Sequence, residues 1–234
     1  MAKLPEHARV VIIGQGGIVG ASVAHHLIAE GWDDIVGLEK SAIPTDIGST
    51  SHASDFCYMT SHDKLNVFTS TYSREFYRSR GNYIEIGGME VARKGDDERM
   101  LELQRKVASG KAFGSNAYMI SAAEAKEKFP LVEEDMIQGA MWDPDAGLVT
   151  PRSQKVAGDL VDEAVASGKL NTFAYTAANK IIVENGRAVG VETDKGTIMA
   201  DNVVLVIASH DGEYVAGALN MRGPDMLWGR NWGC

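Results

Sequence analysis

The sequence predicts an α/β fold: a parallel sheet of the Rossmann-like kind, interrupted by part of an α+β segment. Three observations predict it. A β-branched run, Val10-Val11-Ile12-Ile13, leads into a glycine-rich turn and then a helical pattern. A second apolar run ends in an acid at Glu39. A late meander of short strands, residues 180–207, follows a long helical stretch. Strand, turn, helix and strand in that order make a βαβ unit with a parallel sheet.

Val10–Ile13 reads as a buried parallel strand, since it carries no polar alternation. Gly14, Gly16, Gly17 and Gly20 follow it, with Ile18 and Val19 between. In the helical pattern from Ala21 to Glu30, Val23, Ala24, Leu27 and Ile28 share a face and Gly31 is the expected stop. His25 and His26 read as ordinary helix residues. Asp34–Leu38 is the second strand, and Glu39 stands nineteen residues after Gly20.

That order has a chemical reason. Glycines let backbone approach a pyrophosphate without a Cβ in the way, and the helix amino terminus offers free N–H groups to the phosphates. An acid about 20 residues on is placed for ribose hydroxyls and disfavours a 2′-phosphate, hence NADP. The spacing is one residue longer than G-x-G-x-x-G. Either the turn holds an extra residue or Gln15 replaces a glycine.

Composition excludes other classes. A formal net charge of −9 with no basic run argues against a nucleic-acid partner. No apolar run approaches the roughly 18 residues needed to span a bilayer. Cys57 and Cys234 form no disulfide framework or zinc spacing. With no signal-like start, a cytoplasmic location and reduced thiols are expected. No metal site is expected either: Asp143 and Asp145 lie in Asp143-Pro144-Asp145-Ala146-Gly147, which reads as a turn.

Gly48-Ser49-Thr50-Ser51-His52-Ala53 suits a loop laid against a phosphate, though composition alone suits a surface loop as well. Taken with Val10–Gly14, Gly17–Gly20 and Leu38-Glu39-Lys40, it resembles the dimethylglycine and sarcosine dehydrogenase (oxidase) family, flavoproteins of the D-amino-acid-oxidase type. The resemblance covers the amino-terminal portion, residues 8 to 207, and implies FAD as cofactor. It implies cofactor contacts from Gly14, Gly16, Gly17, Ile18, Val19, Gly20, Glu39 and Lys40, and from Ser49, Thr50, Ser51, His52 and Phe56. His52 matches the position that carries the flavin covalently in several members. Ala178, at the entry of the meander, matches a backbone contact to the adenine half. The implied activity is oxidation of the C–N bond of a small secondary or tertiary amine such as an N-methyl amino acid. The implied partners are that amine and a folate or electron acceptor. No catalytic residue is assigned, because hydride loss from a neutral amine needs neither acid nor base. Asp55 and Tyr58 depart from the family's small, glycine-containing stretch. Rival readings are a non-catalytic FAD-binding fragment and an NAD-dependent dehydrogenase; the second leaves Gly48–Ala53 unexplained.

The expected domains are residues 8–80 for the first part of the FAD-binding domain, 81–148 for the substrate-domain segment, 149–210 for the return, and 211–234 for an irregular tail. The fold is therefore expected to be incomplete at its carboxyl end. Within them, Leu65, Phe68, Tyr72 and Phe76 recur at helical spacing and are expected to face the core. Residues 82–86 and 89–92 read as two strands about Gly87-Gly88. A helix is expected over 98–113 with Met100, Leu103 and Val107 inward. Ser121-Ala122-Ala123-Glu124 is a capping box opening another helix. Thr150 and Pro151 are expected to cap and open the return helix, running to about Ser167. Asn185-Gly186 marks a hairpin, followed by strands at 197–200 and 203–207. His210 reads as a loop residue beside Asp211 and Tyr58 as a packed tyrosine.

Overall fold

The computed structural model describes residues 3–206. In chain order the elements are β1 (His7–Ile13), α1 (Ile18–Ala29), β2 (Ile35–Leu38), α2 (Ser49–His52), β3 (Phe56–Cys57) and α3 (Lys64–Ser79). Then come β4 (Tyr83–Glu85), β5 (Gly88–Arg93), α4 (Asp97–Ala112), β6 (Tyr118–Ile120), α5 (Ala122–Lys128) and β7 (Ile137–Asp143). The last are β8 (Gly147–Val149), α6 (Ser153–Ala166), β9 (Leu170–Phe173), β10 (Ala178–Glu184), β11 (Arg187–Thr193) and β12 (Gly196–Leu205). The described residues divide into two compact units, residues 3–53 with 153–206, and residues 54–152.

The first unit is built on a sheet ordered β10-β11-β12-β1-β2-β9. Strands β12, β1, β2 and β9 are mutually parallel, and β10–β11–β12 is an antiparallel meander. This is the predicted α/β architecture. Val11, Ile13, Val36 and Leu38 alternate onto one face, where they pack with Ile181, Val191 and Ile198 from the meander. Each such buried side chain is worth about 1.5–3 kcal/mol relative to exposure. α1 ends as the sequence predicts: Trp32 N–H donates to Leu27 O and Gly31 N–H to Ile28 O, with Gly31 at φ +87°, a Schellman stop. Asn185 and Gly186 both take positive φ in the β10–β11 turn, as a type I′ hairpin requires. The meander differs in one respect. Residues 197–200 and 203–205 are one continuous strand, because β12 pairs with β11 at its start and with β1 along the rest. α6 begins at Ser153, so Thr150 and Pro151 precede the helix rather than capping and opening it.

The second unit holds two three-stranded sheets, β3-β8-β4 and β5-β7-β6. The strands about Gly87-Gly88 thus join different sheets instead of pairing. α4 buries Leu103 and Val107 as predicted, and Met100 packs beside them. The Ser121/Glu124 capping box is complete, with both reciprocal bonds formed. Asp143 is fully buried at the end of β7; its carboxylate accepts from Met59 N–H (2.9 Å) and Asp145 N–H (3.2 Å), so it shapes a turn.

Two expectations change here. The first unit ends at Ala53 and resumes at Ser153, whereas the sequence places those passages after 80 and 148. α3 belongs to the second unit because Arg74 ties it to β4 through Glu85 (2.7 Å). Val67 and Arg74 turn inward, whereas Leu65 (65% exposed), Phe68 (66%) and Tyr72 (53%) face outward, against the prediction, and Phe76 of the predicted stripe is half-buried. His210 and the tail 211–234 lie outside the described residues.

Candidate functional site: a dinucleotide cradle

The cradle starts where β1 ends. Gly14 N–H (2.9 Å) and Gln15 N–H (3.1 Å) both donate to Leu38 O, which locks the turn to the end of β2. Gly14 sits at φ +91°, and a Cβ there would collide with the Val206 carbonyl. At Gly20 a Cβ would strike the Gly14 carbonyl, so helix and turn touch backbone to backbone. Gly14 and Gly20 therefore act as the first and last glycines of the motif, and the extra residue lies between them. That resolves the spacing question in favour of a longer turn. Gln15 is its inward residue: fully buried, it packs against Gly37, and neither atom of its amide has a hydrogen-bond partner among the described residues.

Glu39 is 7% exposed and ties the glycine turn to the segment after β2. Its Oε2 accepts from Gly16 N–H at 3.1 Å. Its Oε1 accepts from Ser41 N–H (3.1 Å) and the Ser41 hydroxyl (3.2 Å). Three donors hold the charge, and Oε2 retains a lone pair for a sugar hydroxyl. Ser41 and Thr45 share a bond of 2.9 Å, and Thr45 N–H donates to Gly16 O at 2.9 Å. Gln154 Nε2, from α6, donates to Thr45 O at 2.9 Å. Ser41, Thr45 and Gln154 thus pin the glycine turn from its far side. The sequence reading missed all three. Ser41 could have been suspected as a hydroxyl two residues beyond the acid; the other two depend on tertiary contact alone.

Gly17 is the N-cap of α1, has no side chain to fill the cap, and no acid stands in the first turn. Thr50 Oγ1 accepts from Ile18 N–H at 3.0 Å, which brings Gly48–Ala53 to the amino terminus of α1. Val19 is exposed on that turn and Lys40 just beyond Glu39. Ser49–His52 is a single helical turn capped by Gly48. Ser51 Oγ donates to Gly48 O (2.8 Å), and His52 Nδ1 bonds both Gly48 O (3.0 Å) and Ser51 Oγ (3.0 Å). A carbonyl only accepts, so Nδ1 carries a proton, and the ring itself is exposed.

Of the residues singled out from sequence, the structure brings Gly14–Gly20, Glu39 and Thr50 into one bonded constellation, with Ser49, Ser51 and His52 on the adjoining turn. Ala178 opens β10 in the same unit, paired with Thr193. Phe56 belongs to the second unit, on β3, edge-on to Tyr58 with ring centres 4.9 Å apart. Among the described residues no cluster of His, Cys, Asp or Glu could hold a metal ion, and no helix is long and apolar enough to cross a membrane.

A parallel sheet whose first βα turn is shaped by glycines, with an acid bonded across that turn, defines a dinucleotide-binding protein of the Rossmann-like class. The family described as FAD dependent oxidoreductase (DAO) matches residues 9–218, and the chain belongs to it. It is 32% identical over 202 residues to the mitochondrial pyruvate dehydrogenase phosphatase regulatory subunit of Mus musculus, covering 83% of this chain and 22% of that protein. It is 29% identical to the 4-methylaminobutanoate oxidase (formaldehyde-forming) of Paenarthrobacter nicotinovorans, covering 86% and 24%. It is also 29% identical to the mitochondrial dimethylglycine dehydrogenase of Rattus norvegicus, covering 85% and 23%. The chain spans between a fifth and a quarter of the length of these curated relatives. Among solved structures, L-proline dehydrogenase from P. horikoshii superposes with a TM-score of 0.81 at 27% identity, over 93% of this chain and 56% of that one.

Proposed function

We propose that this chain binds FAD through the Gly14–Gly20 cradle and serves the oxidation of a small secondary or tertiary amine of the dimethylglycine or sarcosine kind. The observation that carries the reading is the bond from Gly16 N–H to Glu39, which sets an anion-accepting turn and a sugar-accepting carboxylate side by side. The residues present fit the cofactor. The N-cap Gly17 sets no side chain of its own against the helix end where a pyrophosphate would lie, and Glu39 Oε2 has capacity for a ribose hydroxyl. Thr50 holds the motif loop against the same helix end, and the exposed His52, anchored through Nδ1 to Gly48 O, leaves Nε2 as the ring nitrogen for covalent attachment of a flavin. When bound, FAD supplies hydride acceptance from the carbon beside the amine nitrogen. Water or a folate would be the acceptor of the oxidised carbon, and oxygen or a partner protein the acceptor of the electrons. The names of the oxidase and dehydrogenase relatives support this amine chemistry, and a cytoplasmic location completes the proposal.

An absorbance spectrum of the purified chain, before and after acid precipitation, tests the reading. A yellow protein that bleaches on adding dimethylglycine or sarcosine is expected, with colour staying in the pellet and lost in His52→Ala. A correctly folded chain that takes up no FAD overturns it. The likeness to a regulatory subunit favours one second reading: a flavin-binding protein without catalysis, whose yellow colour persists whatever amine is added.

A further inference from the structure

Three buried polar side chains, Glu39, Ser41 and Thr45, are joined behind the glycine turn, and their protons can flow in one direction only. The Ser41 hydroxyl has one proton and three oxygens near it: Thr45 Oγ1 at 2.9 Å, Glu39 Oε1 at 3.2 Å and Ala42 O at 3.4 Å. Thr45 settles which of them receives it. Thr45 Oγ1 accepts from Ile47 N–H at 3.4 Å. Among the described residues, Ser41 Oγ is the one acceptor within reach of the Thr45 proton. A buried hydroxyl proton without an acceptor is costly, so Thr45 donates to Ser41. The Ser41 proton then goes to Glu39 Oε1, which is both the nearer of the two remaining oxygens and the charged one. The bonds run Thr45 to Ser41 to Glu39, and bonds aligned in this way polarise one another.

The rest of Thr45 fixes where that hydroxyl stands. Its N–H donates to Gly16 O at 2.9 Å, and its carbonyl accepts from Gln154 Nε2 at 2.9 Å. A Cβ on Gly48 would stand 2.9 Å from Thr45 Cγ2, so the methyl packs at the start of the motif loop. At the other end of the chain, Ser41 N–H and O–H both hold Glu39 Oε1, and Gly16 N–H meets Oε2. The carboxylate is thereby held at both oxygens.

We infer that Thr45 is a positioning residue for the adenosine ribose of the cofactor: acting through Ser41, it keeps Glu39 in the orientation that leaves Oε2 for a sugar hydroxyl. The inference rests on the FAD reading above; the hydroxyl chain itself does not.

The test is a double-mutant cycle on FAD affinity, read by quenching of FAD fluorescence in the full chain. Every sample carries His52→Ala so that uptake is reversible, and the chain with His52 intact is titrated alongside. Thr45→Val keeps the branched shape against Gly48 and both backbone bonds but has no proton for Ser41. It should weaken FAD by about fivefold or more. Thr45→Ser keeps the proton and should bind within about twofold of the parent, even if loss of the methyl lowers Tm. Ser41→Ala cuts the same chain and should cost as much as Thr45→Val. Adding Thr45→Val to Ser41→Ala should then change affinity by less than about twofold. A Thr45→Val loss that is equally large with and without Ser41 marks a purely structural role and overturns the proposal. Parent-like affinity in Ser41→Ala does so too, whether or not Thr45→Val folds. If the chain with His52 intact takes up no FAD, the cofactor reading falls and this inference with it; FAD uptake with an additive cycle removes the role of Thr45 alone.

Discussion

The two units build their sites from different materials. In the first, the cradle is largely backbone. Gly14 and Gln15 N–H groups meet Leu38 O, Thr45 N–H meets Gly16 O, and a single carboxylate reaches across to Gly16 N–H. In the second, a cavity of about 250 Å³ is lined by three tyrosines, three hydroxyl residues, a methionine and a cysteine around an arginine held by acids. A backbone site tolerates no Cβ at its contact points, while a side-chain site tolerates conservative exchange of its members. The first unit should therefore fail sharply on small substitutions, and the second should change by degrees.

The sharpest expected failure is Gly14→Ala. It combines a positive φ with a collision against the Val206 carbonyl, so a loss of about 3 kcal/mol or more is expected, with no FAD bound. Thermal denaturation and the flavin-to-protein absorbance ratio measure both; a variant that folds and turns yellow normally would break the contrast. Glu39→Ala comes next. It strands the Gly16 and Ser41 donors and removes the acceptor for a ribose hydroxyl, so FAD affinity should fall by roughly 2–3 kcal/mol in a titration of the apoprotein. Gln15→Leu should act in the other direction. Replacing an amide that has no partner among the described residues by a buried apolar side chain of similar size should stabilise by about 1 kcal/mol and raise Tm. If Tm falls, the amide has a partner, and side chains contribute more to the cradle than its backbone bonds suggest.

The mildest effect belongs to the second unit. The Glu85 carboxyl is held below its ordinary value of 4.5, chiefly by the hydrogen bond from Arg74. A depressed folded-state pKa means the unfolded chain binds the proton more readily. Its stabilisation is therefore fully present above 4.5 and lost as pH falls through the folded value. Glu85 is exposed enough for water to screen the pair, so the effect is small. Arg74→Met should flatten the acid limb of a Tm–pH curve below about pH 5; an unchanged limb would show that Glu85 contributes nothing to it.

Much of the first unit is legible in sequence because its signals are local. β-branched runs, a glycine turn, the Gly31 stop and the Asn185-Gly186 turn each act within a few residues. Glu39 is legible because a βαβ unit fixes its distance from the turn. The α3 stripe is not: Leu65, Phe68 and Tyr72 have a core-like period, yet the face of α3 that turns inward carries Val67 and Arg74, whose partners Glu85 and Asp145 lie well along the chain. The passage at Ala53 leaves no trace in composition either, for the chain changes unit directly after a motif belonging to the first.

By itself the amino-acid order determined the parallel sheet, the cradle's glycines, the acid that serves them and the motif loop, because hydrophobic period and backbone permissiveness are properties of short stretches. Only tertiary structure decided that the extra turn residue is a buried Gln15, that Thr50 caps α1, that Ser41, Thr45 and Gln154 brace the turn, and that α3 turns Leu65, Phe68 and Tyr72 outward. Each of those depends on which distant donor or carboxylate a side chain meets, and local spacing carries no record of that meeting.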